Sequence, residues 1–396
     1  MMRSQKYRLY PHKPQESTLS YLLDLSRNVY NAALEQRITT YQETGDSVWY
    51  SEQWEYFRDS RRVDPDGLGL LNATCLQQTL RRLDKAYRAF FRRVKSGETP
   101  GFPRFKSRDR WKSLDFTYGD GCKLRFDKTN RAMLYLQNIG EVKIKYHREI
   151  PQDSKIKHLV VKRINNKWYA IFQIEMPDKP FFPREESAVG VDMGLHSLLA
   201  LSDGNFVENP RWFRESEREL RVAQRRLSRR KRGSKNRKDA ALQVAKIHER
   251  IANQRLDFWH KVTTDLVKEH SVIVLEDLNL SFMLRNHCLA KSAYDAGLGL
   301  FRQLLQYKAE DAGTTVLFVN PAYTSQMCSG CGEIVPKDLS VRVHKCECGL
   351  VLDRDLNAAL SVLNLGLKSA WIEPPDANVS DGTMRSRGSP CFQTGE

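Results

Sequence analysis

The sequence predicts a multidomain α/β plus β-barrel architecture: a small β-barrel or sheet carrying a helical insert, then an α/β part carrying a metal-binding insert. Three observations lead there. Residues 113–176 run as short strands of period two, residues 14–104 carry apolar stripes at helical spacing, and two later β-branched runs each end in an acid. At 396 residues the chain calls for several cores rather than one, and 40% hydrophobic residues set aside wholesale disorder.

The elements follow in order. "KYRLYP" alternates as a strand and stops at a proline. Leu22, Leu25, Val29 and Ala33 then recur on one helical face, with Pro14 near the start, where its missing N–H does no harm. A second stripe runs through Leu76, Leu80, Leu83, Tyr87 and Phe90, and "GETPGFPRF" closes the helical insert. "LDFTY", "KLRF", "AMLYL" and "EVKIKYH" read as strands, and "HLVVKRINNKWYAIFQIEM" as two more joined by a hairpin at Asn165-Asn166. Basic and aromatic residues interleave here (Lys143, Lys145, Tyr146, Lys162, Arg163, Trp168), which suits nucleic-acid contact and equally suits an ordinary outward sheet face.

"PDKPFFPREES" reads as a linker. Beyond it, "AVGVDMGLHSLLALSDGNFVENP" gives strands separated at Gly194 and at Asp203-Gly204. A long polar helical region spans about 211–269, and "SVIVLEDLNL" has the apolar run of a buried strand. A helix near 298–312, a strand "TTVLFVN", a cysteine cluster and a last helix from about Leu356 complete the order. The residues beyond about 371 read as a disordered tail.

Charge points to the partner. Lysine and arginine number 64 against 48 acidic residues, a net charge of +16, which favours a polyanion such as nucleic acid. The first residues lack an apolar signal region and no run reaches membrane length, so a soluble, unsecreted protein is expected. The scattered Cys75, Cys122, Cys288 and Cys391 suit a reducing compartment.

Two acids break the hydrophobic grain: Asp192 at the end of "AVGVD" and Glu276 at the end of "VIVLE". An unpaired carboxylate in such a strand costs several kcal/mol, so each needs a partner or a metal. Asp277 must face the other way if the strand continues. A third acid lies in "DRDLNAAL", where Asp353 or Asp355 could also be a helix cap. Gathered together, such acids hold Mg²⁺ or Mn²⁺, and two such ions about 3.5–4 Å apart serve phosphodiester hydrolysis. No phosphate-binding loop or Ser/His/Asp arrangement competes. Cys328-x-x-Cys331 and Cys346-x-Cys348 fit two knuckles of a Zn²⁺ site, the second one residue shorter than usual. The short stretch "HKCECGLVLDRDLNAAL" thus carries soft and hard ligands for two separate sites.

"GVDMGLHSLLALSDG", "VLEDLNL" and "YTSQMCSGCG…CECGLVLDRDLNAAL" resemble the three split RuvC motifs and zinc ribbon of the TnpB family. These are transposon-encoded, RNA-guided DNA endonucleases related to compact type V CRISPR effectors. Weaker likenesses run from "YRLYP" and "RNVYNAAL" through "KAYRAFFRRVKSG" to "GFPRFK". The resemblance implies a wedge-like β-barrel over 1–13 and 105–182, and a helical recognition domain over 14–104. It implies an RNase H-like (RuvC) nuclease over 183–326 and 350–370, with a zinc ribbon at 327–349. By motif position Asp192, Glu276 and Asp355 would be the catalytic Mg²⁺ ligands, with Asp353 a neighbour or cap. The implied partners are a guide RNA from the transposon end and a double-stranded DNA target, cut at one site beside a short adjacent motif. Gln77 and Thr117 are candidates for reading that motif.

"RVAQRRLSRRKRGSKNRKD" concentrates positive charge that would repel itself on a helix unless phosphate neutralised it. Arg225, Arg226, Arg229, Arg230, Lys231 and Arg232 are the expected contacts to guide RNA or heteroduplex, and Arg342 a candidate on the strand being cut. A monomer in the cytoplasm, nucleoid-associated when on DNA, is the expected state. The rival readings are a nuclease-inactive RNA-guided repressor and a guide-free nuclease or transposase of the same fold.

Overall fold

Strand β1 (Met2–Tyr10) buries Tyr7 and Leu9 while its alternate residues stay more open, the period-two pattern of a half-covered sheet. The computed structural model, to which it belongs, describes residues 2–177, 187–338 and 341–371. The expected tail and all but the ends of the expected linker lie outside them. The chain divides into two units, Met1–Asp178 and Lys179–Glu396.

In the first unit, β1 leads into α1 (Lys13–Thr44), α2 (Tyr50–Val63) and α3 (Ala73–Lys95). Six strands follow: β2 (Ser113–Thr117), β3 (Cys122–Phe126), β4 (Ala132–Leu136), β5 (Gly140–Lys145), β6 (Lys155–Ile164) and β7 (Lys167–Glu175). They pair in the order β2-β6-β7-β1-β5-β4-β3. The expected barrel is therefore a seven-stranded sheet by its pairing, with β2 and β3 at the two ends. Asn165 and Asn166 both take positive φ, 46° and 60°, as the two-residue hairpin between β6 and β7 requires. Leu22, Val29 and Ala33 of α1 and Leu76, Leu80 and Leu83 of α3 share one core with Leu159, Trp168 and Phe172 of the sheet. The stripe on α3 fades at Tyr87 and Phe90, which are half-buried. Helix α2 is an element that the periodicity did not single out.

The second unit opens with β8 (Ala188–Met193), β9 (Ser197–Leu201) and β10 (Phe206–Glu208). Helices α4 (Trp212–Ser228) and α5 (Lys235–Glu269) precede β11 (Val272–Glu276). After α6 (Leu280–Arg285), α7 (His287–Ala296) and α8 (Leu298–Ala312) come β12 (Thr315–Val319), β13 (Val343–Lys345), β14 (Val351–Asp353) and α9 (Arg354–Trp371). The sheet order is β10-β9-β8-β11-β12. Its first three strands pair antiparallel, and β11 runs parallel to both β8 and β12. One face packs Val189, Val191, Ile273 and Leu275 against Trp259 of α5 and Phe301 and Leu305 of α8. The other packs Val274 and Val319 against Val362 of α9.

That second contact is close because two glycines permit it. A Cβ on Gly190 of β8 would stand 2.2 Å from the Ala359 carbonyl oxygen, and one on Gly366 of α9 would stand 2.4 Å from Val274. Helix α9 therefore lies directly on β8 and β11. This places its first turn beside the carboxyl ends of both strands.

The polar region over 211–269 is two helices rather than one. The chain turns at 229–234, where Gly233 holds φ 83° and Ser234 caps α5 by accepting from the Arg237 amide. Arg229, Arg230, Lys231 and Arg232 thus sit in the hairpin turn and not on helix faces.

Candidate metal centres and nucleic-acid interface

The parallel register pairs Leu275 with Val191, so the next residues, Glu276 at the end of β11 and Asp192 one residue before the end of β8, stand in step. Alternation turns both toward the face covered by α9, the face that Gly190 and Val274 occupy two residues earlier. Glu276 is 5% exposed, and the buried Thr324 hydroxyl donates to its Oε1. Asp277 points the other way and takes Arg302 Nη2 at 2.9 Å, as the alternation requires.

Asp355 stands in the first turn of α9. Asp353 caps that helix: its Oδ1 accepts from the Asp355 amide at 2.8 Å and the Leu356 amide at 3.2 Å. Of the two aspartates it is Asp353 that is spent on the cap, leaving the Asp355 carboxylate available. Arg342 Nη1 lies 3.7 Å from Asp355 Oδ2, so in this structure the arginine faces an acid.

Asp192 feels the other two carboxylates. Burial, then the charges of Glu276 and Asp355, push the Asp192 carboxyl up to about 8, against the opposing pull of Arg354. Burial also raises Glu276, and the Thr324 hydrogen bond acts the other way. Such a concentration of negative charge fits a divalent cation, which would relieve both the desolvation and the repulsion. The acids are nonetheless a looser set than the cysteines. Among the described residues only the four thiols form a group whose ligand atoms all lie within 4.8 Å of one another.

In that group Cys328 Sγ and Cys348 Sγ stand 3.7 Å apart, and Cys331 Sγ and Cys346 Sγ 3.5 Å. Sulfurs at about 2.3 Å from one tetrahedral ion stand about 3.8 Å from each other, so the shortened knuckle still closes to the right span. Burial raises the Cys328 thiol, but the Cys331 and Gly330 amides and the buried His344 ring outweigh it and bring the thiol down to about 6. The neighbouring thiols shift the other way, Cys331 to about 12 and Cys346 upward, because each shares protons with the others, so one thiolate is favoured first and a soft cation would be needed to draw off the rest.

The knuckle is fastened to the helix that carries Asp355. Asn357, fully buried, accepts from the Ser329 amide at 3.0 Å and donates to the Met327 carbonyl at 2.7 Å. Asn364 donates to the Ser329 carbonyl at 3.1 Å. The thiol group and the acids remain distinct sites, with α9 carrying Asp355 and holding the first knuckle through Asn357 and Asn364.

All six basic residues of the hairpin run are exposed, and none pairs with a carboxylate among the described residues. Lower on the same hairpin, Arg221 meets Glu217 and Arg250 meets Glu219. Positive charge is balanced along the shaft and surplus at the tip. In the first unit, Gln77 and Thr117 are half-buried on neighbouring elements, for the Thr117 amide donates to Thr74 Oγ1 at 3.2 Å. Sequence reasoning missed Thr324, Asn357 and His344. For Asn357 a signal existed, a polar residue inside "LNAAL" on the apolar side of a helix. For the other two there was none.

Three family models match the chain: "Probable transposase" over residues 171–287, "Cas12f1-like, TNB domain" over 299–362 and "Helix-turn-helix domain" over 1–46. The last stretch folds here as β1 and a single long helix, α1. A Streptomyces pristinaespiralis protein named "Putative RNA-guided DNA endonuclease" is 33% identical over 93% of this chain and 90% of its own length. An Escherichia coli K12 protein of the same description, InsQ, is 31% identical over 98% of this chain and 96% of its own. Among solved structures, a Cas12f1–sgRNA–target DNA complex aligns with TM-score 0.58 and 14% identity, covering 92% of this chain and 99% of that one. The mini-RNA-guided endonuclease CRISPR-Cas_phi3 aligns with TM-score 0.53 and 9% identity, covering 93% of this chain and 92% of that one. These structural likenesses concern the fold. The relatives at a third identity over nearly the whole length decide the family, and the chain belongs to the TnpB family of transposon-associated, RNA-guided DNA endonucleases.

Proposed function

We propose that this protein cuts double-stranded DNA by metal-dependent phosphodiester hydrolysis at one site built from Asp192, Glu276 and Asp355, with an RNA guide choosing the target. The observation that carries this reading is that three acids from three separate elements act on one another's surroundings: burial first, and then the charges of Glu276 and Asp355, raise Asp192 to about 8. The sheet order β10-β9-β8-β11-β12, three strands antiparallel and two parallel, supports an RNase H-like core of the RuvC type. The first unit's sheet and helices would serve as wedge and recognition domain, with Gln77 and Thr117 at the adjacent motif.

Each residue has a task in this reading. Asp192 of β8, Glu276 of β11 and Asp355 of α9 would be the residues that hold a divalent cation. Thr324 keeps Glu276 in one orientation and favours its ionised form. Arg342, now 3.7 Å from Asp355 Oδ2, would be free to meet a phosphate of the strand being cut if that carboxylate were otherwise engaged. A divalent cation bound there supplies an activated water and neutralises charge at the leaving oxygen. The thiols of Cys328, Cys331, Cys346 and Cys348 would hold Zn²⁺ as a structural ion. The exposed hairpin tip would take guide RNA or heteroduplex phosphates, and base pairing would supply sequence choice.

The test is a plasmid-cleavage assay with copurified RNA and Mg²⁺. Asp192→Ala should abolish cutting, by at least about a thousandfold, while RNA retention stays as in the wild type. Persistent cleavage by the variant would remove Asp192 from the chemistry, and absence of a defined RNA would favour a guide-free enzyme.

A further inference from the structure

Six residues other than glycine hold positive φ among the described residues, and four of them are asparagines, for which that region is ordinary. Tyr323, at φ 64°, is the one aromatic side chain in the set. A residue of that bulk stays there only because its surroundings hold it. The hold is visible in the turn that follows β12. Asn320 Oδ1 accepts from the Ala322 amide at 3.0 Å, and the Tyr323 carbonyl accepts from the Gln326 and Met327 amides, both at 2.8 Å. The Thr324 hydroxyl donates to the Pro321 carbonyl at 3.1 Å and to Glu276. At position 323 every one of these bonds is made by backbone, and glycine would make them without strain. The turn does not need the ring.

Nor does the ring do anything else in the fold. It is 61% exposed, and among the described residues it has no hydrogen bond, ring contact or cation contact. Thr324, whose Cα follows at about 3.8 Å, is by contrast 2% exposed and touches Glu276. The chain thus turns Thr324 inward to the acids and Tyr323 outward at their rim. A second group at the acids is the exposed Arg342, beside Asp355. A π-face and a guanidinium around carboxylates match a partner that offers a flat ring and a phosphate together. An unpaired nucleotide does so, whereas a duplex keeps its bases stacked on each other.

We propose that Tyr323 is a strand-positioning residue, its ring stacking on one unpaired base of the DNA strand that reaches Asp192, Glu276 and Asp355. The strained backbone keeps the ring facing outward, where a relaxed turn would leave its direction free. Every base has a π-face, so the contact sets the strand's position without choosing its sequence. The inference rests on the nuclease reading for why a strand comes to the acids, and it deepens that reading by requiring the strand to be unpaired at the rim.

The test reads binding rather than cleavage, on the RNA-bound full-length protein with no added divalent metal. A short thymidine strand and an abasic strand of the same length are titrated separately against the wild type, Tyr323→Phe, Tyr323→Leu and Tyr323→Gly. The wild type and Tyr323→Phe should bind the thymidine strand alike, and Tyr323→Leu and Tyr323→Gly should bind it about tenfold more weakly. Binding of the abasic strand, which keeps the phosphates and lacks the bases, should be the same in all four. Tyr323→Gly should also melt no lower than the wild type, because glycine takes this φ without strain. Undiminished affinity for the thymidine strand in the leucine and glycine variants overturns the proposal. An equal loss on both strands, or a lowered Tm for Tyr323→Gly, overturns it too, since either would make the ring a structural element. Loss or survival of cleavage in the Asp192 assay is a separate matter and leaves these affinities readable.

Discussion

Thr324 is the residue on which the ionisation of the acidic site turns. Its hydroxyl is the donor that offsets the burial of Glu276, whose carboxyl is already raised. Valine has the same shape and no donor. Because the lost bond favours the charged form, Thr324→Val should raise Glu276 further, and cutting that needs the ionised acid should demand higher pH. A hydrogen bond to a charge contributes about 1.5–3 kcal/mol, so the ascending limb of the pH–rate profile should move up by about one to two units. An unmoved limb would mean that Glu276 does not titrate in the rate-limiting step. At this scale the sequence marked the candidate acids and thiols but not the residues that support them. An acid ending a run of valines and isoleucines is conspicuous, and so is Cys-x-x-Cys. Thr324 in "AYTSQM" looks like an ordinary loop residue, because what distinguishes it is burial beside a distant segment.

At the scale of elements, α9 joins what its sequence kept apart by softness. Asp355 in its first turn serves the acids, and Asn357, two residues on, clamps the first cysteine knuckle by its backbone. Replacing Asn357 with alanine leaves the Ser329 amide and the Met327 carbonyl without their partner. Zinc should then pass to a chelator roughly tenfold faster, the low end of effects seen when supports behind metal ligands are removed. A colorimetric chelator assay checks this, and an unchanged rate would mean that the knuckle holds its shape alone. The helices and strands themselves were legible from period and punctuation: α8, β12 and the Asn165-Asn166 hairpin stand where the pattern predicts them. The polar stretch over 211–269 was read as one region because its charges hide the apolar stripe. The Gly233-Ser234 break was written in it nonetheless.

For the molecule as a whole, the +16 charge is unevenly spent. Ion pairs occupy Arg221 and Arg250 along the α4–α5 shaft, while the five arginines and one lysine of the run at its far end have none among the described residues. If the tip meets phosphate, each contact adds about 0.7–0.9 to the slope of log affinity against log salt. Arg229→Gln with Arg230→Gln should therefore flatten the slope for RNA binding by about 1.4–1.8. An unchanged slope would assign the tip to solvent. No described helix is long and apolar enough to cross a membrane. The architecture at this scale was the least legible from pattern alone, since strand pairing is decided by residues far apart in the chain. The small β-barrel or sheet expected of the first unit is, by its pairing, a seven-stranded order with β2 and β3 at its ends. The alignment of Asp192 with Glu276 could be seen only once β8 and β11 were in register.

The central claim is that three acids from β8, β11 and α9 share their cations. Electron paramagnetic resonance of Mn²⁺ titrated into the RNA-bound protein tests it directly, without relying on cleavage. Wild-type protein should bind Mn²⁺ at the acids, and Asp192→Asn, Glu276→Gln and Asp355→Asn should each reduce that signal, leaving the cysteine-bound ion in place. Binding that survives any one of the three changes undiminished would contradict the shared site.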